Sequence, residues 1–138
     1  MFGSIDHVGV AVSDLDSAIA LYEGTFGMPL VHRETVEEQG VEAVLLDVGD
    51  GHVELLAPLG PDTAVGKFIS KRGEGLHHVA YEVRDIQGHL DRLRAEGVEL
   101  IDEVPRPGLF GLQVAFIHPE AAFGCLIELV EPKEHAHG

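Results

Sequence analysis

Apolar and polar residues alternate over residues 5–12, a pattern typical of a β-strand with one buried face. A helix is predicted directly after this strand, because Ser13 or Asp14 can cap its N-terminus. The apolar positions that follow have helical spacing and form one stripe made of Leu15, Ala18, Ile19, Tyr22 and Phe26. Gly27 is predicted to end this helix.

The same pattern returns in the second half of the chain. Residues 79–83 alternate, Asp85 can cap a helix, and Gly97 can end it. The apolar stripe of this second helix contains Ile86, Leu90 and Leu93. The second strand and cap follow the first at one constant interval, which indicates an internal repeat.

Short extended runs follow each predicted helix. They cover residues 41–48, 53–57, 98–101, 113–117 and 126–130. Asp50-Gly51 is typical of the tight turn between two such strands. We therefore predict an α+β fold in a single domain, 1–138, with module 1 at about 4–58 and module 2 at about 76–132. A connector at about 59–75 contains a short helix near Lys67 to Lys71, and the tail from Lys133 is expected to be loose.

Each half places a histidine on its first strand and a glutamate on its last. His7 and Glu54 have these positions in the first half, and His78 and Glu128 have them in the second. A carboxylate in an otherwise apolar strand is costly to bury unless it is paired, protonated or bound to metal. Two imidazoles and two carboxylates are a ligand set suited to a divalent first-row cation.

The strand alternation distinguishes two adjacent histidines. His77 shares a face with Val79 and Tyr81, which is expected to pack on the helix. His78 shares the other face with Ala80, as His7 does with Gly9. The alternation therefore predicts that His78, and not His77, is the equivalent of His7.

A single histidine or glutamate on a strand is more often a packing or surface residue. The four matched positions favour a site, because chance does not explain a repeated His–Glu pair. Without such support, His32, His52, His89 and His118 are interpreted as surface or packing residues, and His135 and His137 as incidental. Cys125 has no histidine or aspartate partner in the repeat, so a nucleophilic role is not expected.

The formal net charge of −15 argues against nucleic acid as a partner. No apolar run approaches the roughly 20 residues that span a bilayer, and no basic, hydrophobic signal segment opens the sequence. One cysteine, Cys125, excludes an intrachain disulfide. These features lead us to expect a cytoplasmic protein.

Basic residues are concentrated in one short segment, which contains Lys67, Lys71 and Arg72. Two interpretations remain open. The cluster is either a solvated helix face or a site that binds phosphate groups of a substrate.

The chain resembles the vicinal oxygen chelate superfamily and, within it, the methylmalonyl-CoA epimerase family. The resemblance covers nearly all of residues 5–132 and is most specific in four segments. These are Ile5-Asp6-His7-Val8-Gly9-Val10-Ala11-Val12, Lys67-Phe68-Ile69-Ser70-Lys71-Arg72-Gly73-Glu74-Gly75-Leu76-His77-His78, Phe116-Ile117-His118-Pro119, and Leu126-Ile127-Glu128-Leu129.

The resemblance implies two βαβββ modules in a cupped, incomplete barrel around one divalent metal ion. By matching position, the ligands would be His7, Glu54, His78 and Glu128. Cobalt is the first expectation, with zinc, nickel and manganese as alternatives. The resemblance also implies a homodimer and an acyl-CoA thioester as substrate.

Two residues depart from the family pattern. Part of the family has a catalytic glutamate on the cavity face of the strand after Glu38-Gln39-Gly40, where this chain has Ala43. The neighbouring Glu42 is predicted to point to the opposite face. After His118-Pro119, this chain has Glu120 where relatives usually have lysine, and the loop Pro107-Gly108-Leu109-Phe110-Gly111 is also altered.

The resemblance implies a metal-dependent epimerase that interconverts the 2R and 2S epimers of methylmalonyl-CoA through an enolate stabilised by the metal. Inversion requires an acid–base group on each side of the α-carbon, and Glu128 and Glu54 are expected in these roles. Lys67, Lys71 and Arg72 would bind the phosphates of CoA. Two alternatives remain: a glyoxalase I-type isomerase (lactoylglutathione lyase), and a non-catalytic small-molecule-binding protein of the same fold.

Overall fold

The computed structural model describes residues 1–132, so the predicted loose tail from Lys133 lies outside the described residues. The chain divides into two compact units. The first unit is made of residues 7–77, and the second unit is made of residues 1–6 together with residues 78 onward. None of the helices in the described part of the chain is long and apolar enough to cross a membrane.

The first unit contains two helical segments and four strands. They are β1 (Ser4–Ala11, from His7 onward), α1 (Leu15–Ile19) with a π-helical continuation (Ala20–Thr25), β2 (Leu30–Val36), β3 (Val41–Val48), β4 (Gly51–Pro58) and α2 (Ala64–Arg72). Its strands are ordered β2-β3-β4-β1. β1 and β4 are parallel, and the other pairs are antiparallel.

The second unit repeats this arrangement. It contains β5 (Gly75–Glu82, from His78 onward), α3 (Ile86–Ala95), β6 (Arg106–Pro107), β7 (Leu112–Ile117) and β8 (Ile127–Pro132). Its strands are ordered β5-β8-β7-β6, again with one parallel pair, β5 and β8. Both halves therefore have the βαβββ order, which confirms the predicted α+β fold with two repeated modules. Short 3₁₀ segments occur at Glu37–Gln39, Leu109–Gly111 and Pro119–Ala122.

In each unit one sheet face packs on the helix and forms the core. The first core contains Val12, Leu15, Val44, Leu46, Val53, Leu55 and Ala57, and the second contains Val83, Ile86, Leu90, Ala115, Ile117 and Leu129. The predicted helix caps are confirmed. Asp14 accepts a hydrogen bond from the Ser17 N–H at 3.3 Å, and Asp85 accepts one from the Gly88 N–H at 3.3 Å.

The start of the chain belongs to the second unit. The Phe2 ring lies 5.3 Å from the Tyr81 ring and 5.7 Å from the His89 ring, centroid to centroid. The N–H of Gly3 donates a hydrogen bond to the Glu82 carbonyl at 2.8 Å. Burial beneath these groups lowers the pKa of His89, which is consistent with a packing residue.

Three local predictions are wrong. Phe26 is half-exposed, because the π-helical turn widens the helix period and rotates this position away from the stripe. Residues 98–101 form no strand, and only Leu100 pairs, in an isolated bridge with Ile117. The hairpin turn between β3 and β4 is centred on Gly49 and Asp50, one residue earlier than predicted, because Val48 pairs with Gly51 and Gly49 takes a φ of 58°.

Candidate metal and substrate site

The first His–Glu pair lies on neighbouring parallel strands of the first unit. β1 and β4 are in a register that sets Gly9 beside Glu54. The Nε2 atom of His7 is 3.5 Å from the Oε1 atom of Glu54. Gly9, which has no side chain, and Ala11, which has only a methyl group, share this sheet face with His7, so His7 and Glu54 have room to approach each other.

The second pair repeats this geometry in the second unit. β5 and β8 are in a register that sets Ala80 beside Glu128. The Nε2 atom of His78 is 3.1 Å from the Oε1 atom of Glu128. We call the sheet face that carries such a pair the His–Glu face of its unit.

All four side chains are buried. Their exposed fractions are 2% for His7, 4% for Glu54, 3% for His78 and 7% for Glu128, and they form the complete set of buried polar side chains within residues 1–132. Burying a carboxylate costs free energy unless a cation compensates its charge. In each unit, a protonated imidazole or a bound metal ion could supply that cation, with an imidazole nitrogen and a carboxylate oxygen as ligand atoms.

His77 occupies the opposite face of β5, as the alternation predicts. It is partly buried, and its ring packs edge-on against Phe68 of α2 at a centroid distance of 4.8 Å. Both rings line a cavity of about 460 Å³.

The basic cluster surrounds this same cavity. Its lining residues include Lys67, Lys71 and Arg72, together with apolar groups of Pro61, Ala64 and Phe68. All three basic side chains are exposed, and none of them forms an ion pair with a carboxylate of residues 1–132. The cavity is therefore a concave surface with uncompensated positive charge in a strongly acidic protein.

Ala43 lies on the His–Glu face of the first unit. Leu45 pairs directly with Glu54, and Ala43 is two residues from Leu45 along β3, fully buried. Antiparallel partners share a face and so do alternate residues of one strand. Ala43 is therefore a diagonal neighbour of Glu54, whereas Glu42 points away and binds Arg33.

The remaining histidines have local partners. His32 lies 3.3 Å from Glu34, and His52 lies 3.1 Å from Asp47. These are pairs between side chains that are at least partly exposed, as expected for surface residues. Cys125 is a free thiol whose Sγ atom lies 3.7 Å from the Leu126 carbonyl oxygen, and His135 and His137 lie outside the described residues.

A second group of possible ligands lies on the surface of the second unit. Atoms of Glu99, His118 and Glu120 lie within 4.8 Å of one another. The Nδ1 atom of His118, however, accepts a hydrogen bond from the Glu120 N–H at 3.1 Å and caps the following 3₁₀ turn. Since Glu99 and Glu120 are exposed, the group resembles a solvated helix-capping arrangement more than the buried pairs.

Arg106 is not among the site residues predicted from the sequence. Its guanidinium carbon lies 5.4 Å from the centre of the Phe116 ring, and that ring packs edge-on against His78 at 6.2 Å. β6 has only two residues, so no alternation could reveal the face of Arg106. The sequence does indicate Arg106 in one way, because it is a lone basic residue between Pro105 and Pro107.

The chain is similar to proteins of known family and structure. Residues 6–116 match the model of the Glyoxalase/Bleomycin resistance protein/Dioxygenase superfamily. The uncharacterized protein YqjC of Bacillus subtilis is 41% identical, over 96% of this chain and 95% of its own length. The ethylmalonyl-CoA/methylmalonyl-CoA epimerase of Cereibacter sphaeroides is 36% identical, over 94% of this chain and 98% of its own. A structure of methylmalonyl-CoA epimerase in complex with methylmalonyl-CoA and NH4+ superposes with a TM-score of 0.92 at 37% identity, covering 96% of both chains.

Proposed function

The chain belongs to the Glyoxalase/Bleomycin resistance protein/Dioxygenase superfamily, and we propose that it is a metal-dependent epimerase that interconverts the 2R and 2S epimers of methylmalonyl-CoA. The observation that carries the proposal is the buried His–Glu pair in each of two repeated units. Relatives and solved structures with this activity in their names match nearly the whole length of this chain, which supports the proposal.

We propose that His7, Glu54, His78 and Glu128 bind one divalent cation. The donor chemistry fits, because neutral imidazole and carboxylate together suit first-row divalent ions, and burial excludes competing water. Cobalt is the ion proposed first, ahead of zinc, nickel and manganese. When bound, the cation supplies Lewis-acid stabilisation of the negative charge that develops on the thioester oxygen.

We assign the proton transfers to two carboxylates. Epimerisation removes the proton from one side of the α-carbon and returns a proton to the other, which requires one acid–base group on each side. Glu128 and Glu54 hold equivalent positions in the two repeats, which supports an arrangement on opposite sides of the substrate. Their burial keeps bulk water from protonating the enolate directly, so that the returned proton comes from the second carboxylate.

We propose that Lys67, Lys71 and Arg72 bind the phosphates of the CoA group. Support comes from the cavity that they line and from the lack of acidic partners within residues 1–132. An anionic substrate needs such a patch, since the formal net charge of the protein is −15. We also propose that both modules form a single domain, and that the protein is a cytoplasmic homodimer, as the family resemblance and the single cysteine suggest.

Ala43 favours a second candidate function, a glyoxalase I-type isomerase. Part of the epimerase family has a catalytic glutamate where this chain has the buried Ala43, so the acid–base pair of those members is incomplete here. A glyoxalase I-type enzyme also moves a proton between carbons beside a thioester or hemithioacetal with a His–Glu metal site.

One experiment tests the proposal against both alternatives. Protein loaded with cobalt would be incubated in deuterated water with methylmalonyl-CoA and, separately, with the methylglyoxal–glutathione adduct. We expect deuterium at the α-carbon of methylmalonyl-CoA and conversion of a single epimer into a mixture of the 2R and 2S epimers. Turnover of the glutathione adduct alone would establish the isomerase instead, and binding without exchange in either substrate would establish a binding protein.

A further inference from the structure

Arg106 lies on the His–Glu face of the second unit. It pairs with Val114 across the β6–β7 ladder, and Phe116 pairs with Glu128 across the β7–β8 ladder. Antiparallel partners share a face, and so do residues two apart on one strand. The register therefore places Arg106, Phe116 and Glu128 on one side of the sheet, with the His78 ring packed on Phe116.

Two contacts fix the position of the Arg106 side chain. Its guanidinium carbon lies 5.4 Å from the centre of the Phe116 ring, and its Nε atom lies 3.5 Å from the Oδ1 atom of Asp102. The other carboxylate oxygen of Asp102 accepts a hydrogen bond from the Phe116 N–H at 2.9 Å. Asp102 thus links the guanidinium to the backbone of Phe116, which lowers the conformational entropy that Arg106 loses on binding a ligand.

The outer edge of this guanidinium remains available. The Nη1 and Nη2 groups make no hydrogen bond or ion pair within residues 1–132, and about half of the side chain is exposed. Two parallel N–H donors of arginine match the spacing of two oxygens in a carboxylate or phosphate. Their fixed direction makes Arg106 a binding group for an oxyanion.

The charge on this face creates a need for such a group. Glu128 is buried there and Glu82 lies near the end of β5, so an anionic ligand meets negative charge. In the described part of the second unit, Arg106 is the only basic residue on a strand, because Arg84 follows β5 and Arg92 and Arg94 lie on α3. Arg92 and Arg94 are moreover paired with Glu96 and Glu103.

We propose that Arg106 binds an oxyanion of the substrate, either the free carboxylate of the acyl group or a phosphate of CoA. This inference rests on the proposed function, since it takes the ligand to be a dicarboxylic acyl-CoA. If Arg106 binds the free carboxylate, it also determines specificity, because acyl-CoA substrates that lack this carboxylate lose the contact.

The test is a binding measurement that needs no turnover. Dissociation constants of malonyl-CoA, acetyl-CoA and malonyl-pantetheine would be determined by calorimetry for the wild type and for Arg106→Gln. Acetyl-CoA lacks the carboxylate, and malonyl-pantetheine lacks the nucleotide phosphates. Arg94→Gln is the matched control, since it removes one exposed arginine from the same unit, away from this face.

We expect malonyl-CoA to bind roughly 10- to 100-fold more weakly to Arg106→Gln, the usual size of a lost charge-assisted hydrogen bond. An equal loss of affinity for malonyl-pantetheine, with no loss for acetyl-CoA, would identify the carboxylate as the group that Arg106 binds. An equal loss of affinity for acetyl-CoA, with no loss for malonyl-pantetheine, would identify a phosphate as that group. Arg106→Lys should recover part of the affinity in either case.

Two outcomes would overturn the inference. Unchanged dissociation constants for all three ligands would show that Arg106 binds no substrate oxyanion. Equal weakening of all three, without recovery in Arg106→Lys, would show that the substitution only disturbs the packing on Phe116. Either result would leave the proposed epimerase activity to be decided by the exchange experiment, so the two failures are distinguishable.

Discussion

The Nε atom of Arg33 donates a hydrogen bond to the Glu42 carboxylate at 2.8 Å, on the side of β3 opposite Ala43. Arg33 is also 3.4 Å from Asp16, so Glu42 is part of a surface network. Hydrogen bonding and charge attraction in this network raise the pKa of Arg33. Of the two carboxylates on β3, Glu42 is thus committed to the face opposite Ala43, and Asp47 lies 3.1 Å from His52.

This relationship leads to a prediction about Glu54. If two carboxylates are needed for proton transfer, Glu54→Gln should keep an oxygen ligand yet reduce kcat roughly 10²- to 10⁴-fold, the usual contribution of a positioned acid or base. Adding Ala43→Glu should restore part of the rate, because the new carboxylate would lie diagonal to position 54. Deuterium incorporation and metal content would be measured on both variants.

Glu42→Gln is the control for these variants. It removes a neighbouring negative charge on the opposite face and should leave kcat within about twofold, as expected for a surface substitution. Near-normal activity of Glu54→Gln alone would contradict the prediction and leave Glu54 as a ligand only.

Metal content should distinguish the two adjacent histidines. His7→Ala and His78→Ala should each lose most of the bound divalent cation and all measurable activity, because each removes one of four proposed ligands. His77→Ala should keep the bound cation and the activity, since the His77 ring packs on Phe68 on the opposite face of β5. Metal would be measured by mass spectrometry after gel filtration. Loss of metal in His77→Ala but not in His78→Ala would reject the ligand assignment.

The basic cluster should affect substrate binding more than chemistry. Alanine at Lys67, Lys71 and Arg72 together should raise KM about tenfold at low salt with little change in kcat, because such contacts bind substrate and transition state alike. The difference should shrink as salt screens the charges. Steady-state rates at two ionic strengths would measure this.

A double variant, Arg92→Ala with Arg94→Ala, is the control for net charge. Both arginines lie on α3 and pair with acidic neighbours, so their loss removes two positive charges, against three in the cluster variant, without touching the cavity. An equal rise of KM in this control would mean that general attraction, and not the cavity, explains the effect.

Helix α3 offers a test of stability. Asp85 caps it and has a left-handed φ of 57°. Asp85→Ala should lower the free energy of unfolding by about 1–2 kcal/mol, because alanine lacks the cap and tolerates this conformation poorly. Asp85→Asn should lower the free energy of unfolding much less, since asparagine can cap the helix and also tolerates a left-handed φ. Urea titration would compare the three proteins, and equal stability of Asp85→Ala would contradict the capping argument.

The repeated elements were predictable because burial imposes alternation on them. In β1 and β5, buried residues alternate with partly exposed ones. Their sequences therefore alternate too, which reveals His7 and His78. The caps Asp14 and Asp85 have local chemistry that needs no knowledge of the fold. The basic cluster was likewise visible as a concentration of charge.

Other features depend on contacts that the sequence does not encode locally. β2 has no buried residue, so nothing in its pattern separates it from a loop. Arg106 is located by pairing with Val114 in a two-residue strand, and its relation to His78 arises only through Phe116. The cavity beside His77 requires α2 to fold over that ring, which a strand pattern alone does not predict.

The packing of Phe2 sets an order of events during synthesis of the chain. Its ring partners, Tyr81 and His89, are made 79 and 87 residues after Phe2, when residues 7–77 are already complete. At about 5–20 residues per second, the first residues wait several seconds without their final contacts. A tag or fusion attached before Met1 therefore lies beside the half of the protein that is translated last, and a bulky one should slow its maturation while sparing the half translated first.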